Sequence, residues 1–188
     1  PLVDLVRKIA ESGREAPLQV LQRHYPAPAQ EKLARQAAAA VGFDFSAGRL
    51  DTSAHPFCTG LGPGDTRMTT RYDEHYFGDA FFGVLHETGH ALYDQGLPKD
   101  KFGTPCGEYV SLGIHESQSR MWENLVARSR SFWKHFMPKA RATFGEAIDR
   151  ADVPLQIAAP VAEWLVERGD VTDAVELADR TTANVADV

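Results

Sequence analysis

The chain has 188 residues, 43% of them hydrophobic and 24% charged, enough for one domain with a real core and ordinary for a soluble globular protein. A formal net charge of −6 argues against nucleic acid as the partner, and no uninterrupted apolar stretch is long enough to span a membrane. No basic start followed by an apolar run is visible, and two cysteines, Cys58 and Cys106, make no disulfide framework; the expectation is a cytoplasmic protein with two reduced thiols.

Residues 1–13 read as an amphipathic helix, with Leu2, Val3, Leu5, Val6 and Ile9 on one face. A second short helix is expected over residues 17–24, broken by Tyr25-Pro26-Ala27-Pro28. An alanine-rich helix over residues 29–41 ends at Gly42. Residues 43–64 hold Gly48, Pro56, Gly60, Gly62 and Pro63 and read as irregular. Residues 65–72 look like a strand, threonines alternating with charged residues. Helix is expected over about 79–93, then a glycine- and proline-rich loop over 95–109, then a long helix over about 110–136. Pro138 interrupts it and helix resumes to Ile148. Trp122, Phe132, Trp133 and Phe136 recur at helical spacing and read as core. The basic run Arg128, Arg130, Lys134, Lys139 and Arg141 complements a helix end. Residues 149–188 carry nine acidic and three basic residues, a balance of −6 that accounts for the whole net charge. That acidic tail is expected to form two short helices, 160–168 with Pro160 at its first position and 172–181 capped by Thr172.

Chemistry concentrates in His86-Glu87-Thr88-Gly89-His90. On a helix, residues four apart share a face, so both imidazoles can hold one zinc ion. Glu87 lies between them, where a carboxylate can take a proton from water that the metal activates. A catalytic zinc usually takes a third protein ligand. His115 and Glu116, on the next helical segment, are both chemically able to supply it, and from one helix they point in different directions.

His55-Pro56-Phe57, Asp65-x-Arg67-x-Thr69, His86-Glu87-x-x-His90 and His115-Glu116-Ser117-Gln118 stand in the order and at the approximate spacing of one family. On these words, and on linking text from near Pro1 to about Phe144, the chain resembles the Taq-type, or thermostable, zinc metallocarboxypeptidases. The resemblance implies that Glu116 is the third metal ligand, that single residues are removed from peptide C-termini, and that the protein is a homodimer. Family members are more than twice this length, so the chain is short by comparison. They also carry an I/V-R-x-x-A-D and a G-x-x-Q-D-x-H-W segment, thought to grip the substrate carboxylate, that do not occur in this sequence.

The expected fold is mainly α, a helical gluzincin-like metallopeptidase with a small β element beside the zinc site, residues 1–148 forming the catalytic core and 149–188 the tail. Metal ligands are His86, His90 and Glu116, with zinc expected and cobalt as an alternative. Glu87 is the general base. His115 is a catalytic candidate as an oxyanion donor, with a supporting or structural role as the alternative. Asp94, four past His90, and Glu123, seven past Glu116, are candidates to orient the ligands. Substrate-binding candidates are Arg67 and Arg71, on a strand whose free edge could hold an extended peptide, and His55. The peptide substrate would meet neither membrane nor nucleic acid. Rival functions are an endo-acting oligopeptidase and a zinc-binding module without turnover.

Overall fold

The computed structural model describes residues 2–11 and 22–148. The expected helix at 17–24 falls largely outside them, and residues 22–24 are not helical; the acidic tail lies outside them as well. The elements in chain order are α1 (Leu2–Glu11), α2 (Ala27–Ala40), β1 (Gly48–Thr52), β2 (Phe57–Gly62), β3 (Asp65–Thr70), α3 (Phe77–Gly96), α4 (Leu112–Arg120) and α5 (Arg130–Phe144). Among the described residues, no helix is long and apolar enough to cross a membrane.

Pro26-Ala27-Pro28, expected to end a preceding helix, also opens α2. Pro28 falls in the first turn, where a missing N–H costs no helical bond, and the Glu74 carboxylate accepts from the Ala27 N–H at 2.9 Å. The stretch expected to be irregular supplies two strands. The sheet order is β1-β3-β2, with β1 parallel and β2 antiparallel to β3. The strand expected from sequence is therefore central and has no free edge.

α3 is the axis of the fold. Phe77, Phe81, Phe82 and Leu85 pack with Leu33 of α2 and Trp133, Phe136 and Met137 of α5 in one aromatic core. Further along, Val84 and Ala91 pack with Leu50, Met68, Ala34 and Ala38, which seats the sheet on the helix. Thr88, fully buried, donates to the Val84 carbonyl at 2.6 Å and so hides a hydroxyl inside this layer. These two packings leave a third face of α3 for His86 and His90.

The long helix expected over 110–136 is divided. α4 runs on into a π-helical segment, Met121–Val126, closed by Ala127 N–H to the Trp122 carbonyl at 2.9 Å, five residues back. The chain turns at Ala127–Ser129, and Ser129 caps α5 by accepting from Phe132 N–H. Pro138 sits inside α5 without ending it. It has no N–H for the Lys134 carbonyl, but both residues are exposed, so water can serve that carbonyl, while Trp133, Phe136, Met137 and Ala140 anchor the helix.

Candidate metal centre

α3 and α4 cross closely enough to bring the two halves of the site together. Gly89 lies at the crossing: a Cβ there would stand 2.5 Å from the Gln118 carbonyl oxygen and 2.6 Å from Ser119 Cα. Only a residue without a side chain lets α4 approach this near. Ser111 caps the start of α4, its hydroxyl accepting from Ile114 N–H at 3.2 Å.

Across this contact Glu116 Oε2 lies 3.7 Å from His86 Nε2 and 3.3 Å from His90 Nε2. The three side chains each offer a ligand atom within 4.8 Å of the others, so of the two α4 residues it is Glu116 that converges with the histidines. Its second oxygen faces Arg120 Nε at 3.5 Å, and Ser119 Oγ donates to Oε2 at 3.0 Å. Two nitrogens and one carboxylate oxygen are a donor set suited to zinc and similar divalent metals.

The surrounding bonds dispose the rings for that use. His86 Nδ1 donates to Glu123 Oε2 at 2.9 Å, which leaves its Nε2 lone pair toward Glu116. Burial alone would raise the Glu123 carboxyl, but hydrogen bonds from His86 and Arg128 outweigh it and hold the group below the usual carboxylate range. The π-helical segment carries Glu123, with Arg128 donating from beyond it at 3.1 Å. On the other side, His90 Nδ1 is in hydrogen-bond contact with His115 Nδ1, and His115 Nε2 lies 2.9 Å from Asp94 Oδ1. Asp94 thus hydrogen-bonds His115, and its hydrogen-bonded link to His90 runs through that ring. Burial, above all, holds His90 below the ordinary histidine range, favouring its neutral form.

Glu87 is 8% exposed. Burial pushes its carboxyl up to about 7; the negative charges of Glu116 and Glu123 act the same way and His86 opposes them. A carboxyl titrating there can both accept and return a proton near neutral pH.

The site opens on a cleft of about 730 Å³. One wall is the β2 strand with its flanking residues 55–64, and the other is α3 with the loop leading into α4, where Phe102 and Tyr109 stand, and Leu112 at the start of α4. His55 lines this cleft, its carbonyl tied down by the Ser53 hydroxyl at 2.6 Å. Cys58 lines it as well; its thiol is pushed far up by burial and by the Asp94 and Glu87 charges, so it stays protonated.

The two arginines do not join the site. Arg67 grips Asp65 on its own strand through two bonds, of 2.6 and 2.9 Å. Arg71 follows β3, is exposed, and like Arg67 is not on the cleft wall. The cleft borders the edge strand β2 instead, which reads as irregular in sequence because Gly60 and Gly62 interrupt its pattern, and a bulge falls between them. Gly89 was also missed; the one available signal was a glycine inside a helical metal motif, where alanine would be the better helix former.

A profile of the Carboxypeptidase Taq (M32) metallopeptidase family matches residues 1–157. The chain is 53% identical over 148 residues to thermostable carboxypeptidase 1 of Thermus thermophilus, covering 79% of this chain and 29% of that protein. It is 40% identical over 138 residues to carboxypeptidase 1 of Bacillus subtilis, covering 73% of this chain and 28% of that one. The fold superposes on the crystal structure of the M32 carboxypeptidase from Deinococcus radiodurans with a TM-score of 0.75 at 41% identity, over 84% of this chain and 32% of that one. The chain thus spans less than a third of the length of these relatives, and within that span a converging His86, His90 and Glu116 stands beside a buried Glu87; it belongs to the Taq-type (M32) metallopeptidase family.

Proposed function

We propose that this chain, through residues 1–148, forms the metal-binding catalytic core of a zinc-dependent carboxypeptidase that shortens peptides from their C-termini. The observation that carries the reading is Glu87, a buried carboxylate beside two histidines and a glutamate whose ligand atoms lie within 4.8 Å of one another. His86, His90 and Glu116 would hold the metal, with cobalt able to replace zinc in the same donor set. Bound there, zinc supplies Lewis-acid polarisation of the scissile carbonyl and of the attacking water.

The chain's own residues do the rest. Glu87 removes a proton from the attacking water and delivers it to the departing amine, a sequence its elevated carboxyl suits. Glu123 keeps the His86 proton on Nδ1, away from the metal position. An extended peptide would lie in the cleft beside β2, whose outer edge is unpaired within the sheet. His55 stands on that wall as a substrate contact. Cys58 and Cys106 are both unpaired, which fits a reducing compartment such as the cytoplasm.

The test pairs metal content with product analysis. The purified chain should hold close to one zinc and release amino acids from a free peptide but not from the same peptide amidated at its C-terminus. Glu87→Gln should keep the metal and lose at least about a hundredfold in turnover. Cleavage of both peptides would replace the reading with an endopeptidase. Zinc uptake without cleavage of either would replace it with a metal-binding module.

A further inference from the structure

We infer that His115 and Asp94 form a hydrogen-bonded relay that sets the tautomer of His90, making His115 a positioning residue for the metal centre. The inference rests on the metal-site reading above and adds a role for two residues that do not touch the metal position.

The argument follows the protons. A carboxylate only accepts, so Asp94 Oδ1, 2.9 Å from His115 Nε2, requires a proton on that nitrogen. A neutral His115 then has only a lone pair at Nδ1. That lone pair faces His90 Nδ1, which must carry the proton of their shared bond. His90 Nε2 is left with a lone pair, pointing toward Glu116 Oε2 at 3.3 Å. His86 reaches the same state by a shorter route, since Glu123 accepts directly from its Nδ1. Two carboxylates therefore fix two imidazoles, one directly and one through an intervening ring. Three lone-pair atoms end up facing one another with no ring proton between them, an arrangement a cation satisfies.

His115 is confined to this duty. Tyr93 and Tyr109 stand edge-on to its ring, each with centroids 5.2 Å away, and the His90 ring lies 4.7 Å away at 33°. The Tyr93 hydroxyl accepts from the Val110 N–H at 3.2 Å and is itself held. Both His115 nitrogens are engaged, so donating to an oxyanion would require breaking the relay. The competing arrangement is an imidazolium His115 donating to His90 Nδ1. It would move the His90 proton to Nε2 and block ligation.

Two measurements decide between them. Nitrogen NMR of the metal-free 188-residue chain should show His90 protonated at Nδ1 and bare at Nε2; a proton at Nε2 would overturn the relay. Zinc affinity by chelator competition supplies the second. His115→Phe fills the volume but offers no acceptor, and should weaken zinc binding by roughly 10–100-fold. His115→Gln can still present an oxygen to His90 Nδ1–H and should stay within about threefold of the parent chain, a rescue that a space-filling role does not predict. Equal affinity for the Phe variant and the parent would overturn the inference. A parent chain that binds no zinc would instead remove the metal-site reading, and the His90 tautomer would still decide the relay by itself.

Discussion

Replacing Gly89 by alanine sets two known effects against each other. Alanine is the better helix former by about 1 kcal/mol in a helix interior. Gly83, in the same helix with nothing within 4 Å of a would-be Cβ, isolates that gain, so Gly83→Ala should stabilise the chain by about 0.5–1 kcal/mol. At Gly89 the new methyl would meet backbone at 2.5, 2.6 and 2.8 Å. Ordinary contact begins near 3.4 Å, so α4 would have to retreat by up to about 0.9 Å. Overpacking of this kind costs about 1–3 kcal/mol, which exceeds the propensity gain and leaves a net loss of up to about 2 kcal/mol. Because Ser119 and Glu116 share a turn of α4, the retreat also carries Glu116 away from His86 and His90, well beyond the roughly 0.2 Å that a shared metal would tolerate. Denaturant unfolding and zinc affinity, measured for both variants, separate the effects: Gly83→Ala more stable with parental zinc affinity, Gly89→Ala less stable with zinc binding weakened at least tenfold. A Gly89→Ala chain as stable as Gly83→Ala and with parental zinc affinity would refute the claim that this glycine sets the α3–α4 approach.

Glu87 makes the zinc-free chain pH-sensitive. Its folded carboxyl is raised to about 7 from an ordinary 4.5, so the fold prefers the protonated form. The stability this contributes is present below about pH 4.5 and is lost as pH rises through 7, up to about 3 kcal/mol. Glu87→Gln should remove that slope, and the two chains' unfolding free energies should diverge across this window; parallel curves would contradict it. Glu123→Ala takes the acceptor from His86 and leaves Arg128 without its carboxylate partner, so zinc affinity should fall roughly 10–100-fold, read by the same chelator competition. Ser111→Ala removes the α4 cap and should cost about 1 kcal/mol in denaturant unfolding, with little effect on zinc affinity because Gly89 still seats the helix.

Much of the site was legible in the amino-acid sequence because its signals are local. Helical spacing alone puts His86 and His90 on one face with Glu87 between them, and the apolar period around them predicts α3 to within three residues at either end. Asp94 and Glu123 stood out for the same reason, one and two turns along from ligands. The choice of Glu116 over His115 was not local. It came from resemblance, and spacing left both open. What only the tertiary structure decided is how separate elements meet. β3 became the central strand because two short partners, neither with a readable pattern, pair on both sides of it, and this moved the free edges to β1 and β2, of which β2 borders the cleft, and left Arg67 bound to Asp65, away from it. The partners of Asp94, His115 and Glu123 depend on α4 lying against α3, a distance that Gly89 permits but no periodicity encodes. Chain-local geometry fixes which side chains share a face; which faces touch is set by the packing of whole elements, and the hydrogen bonds around His86 and His90 follow from that contact.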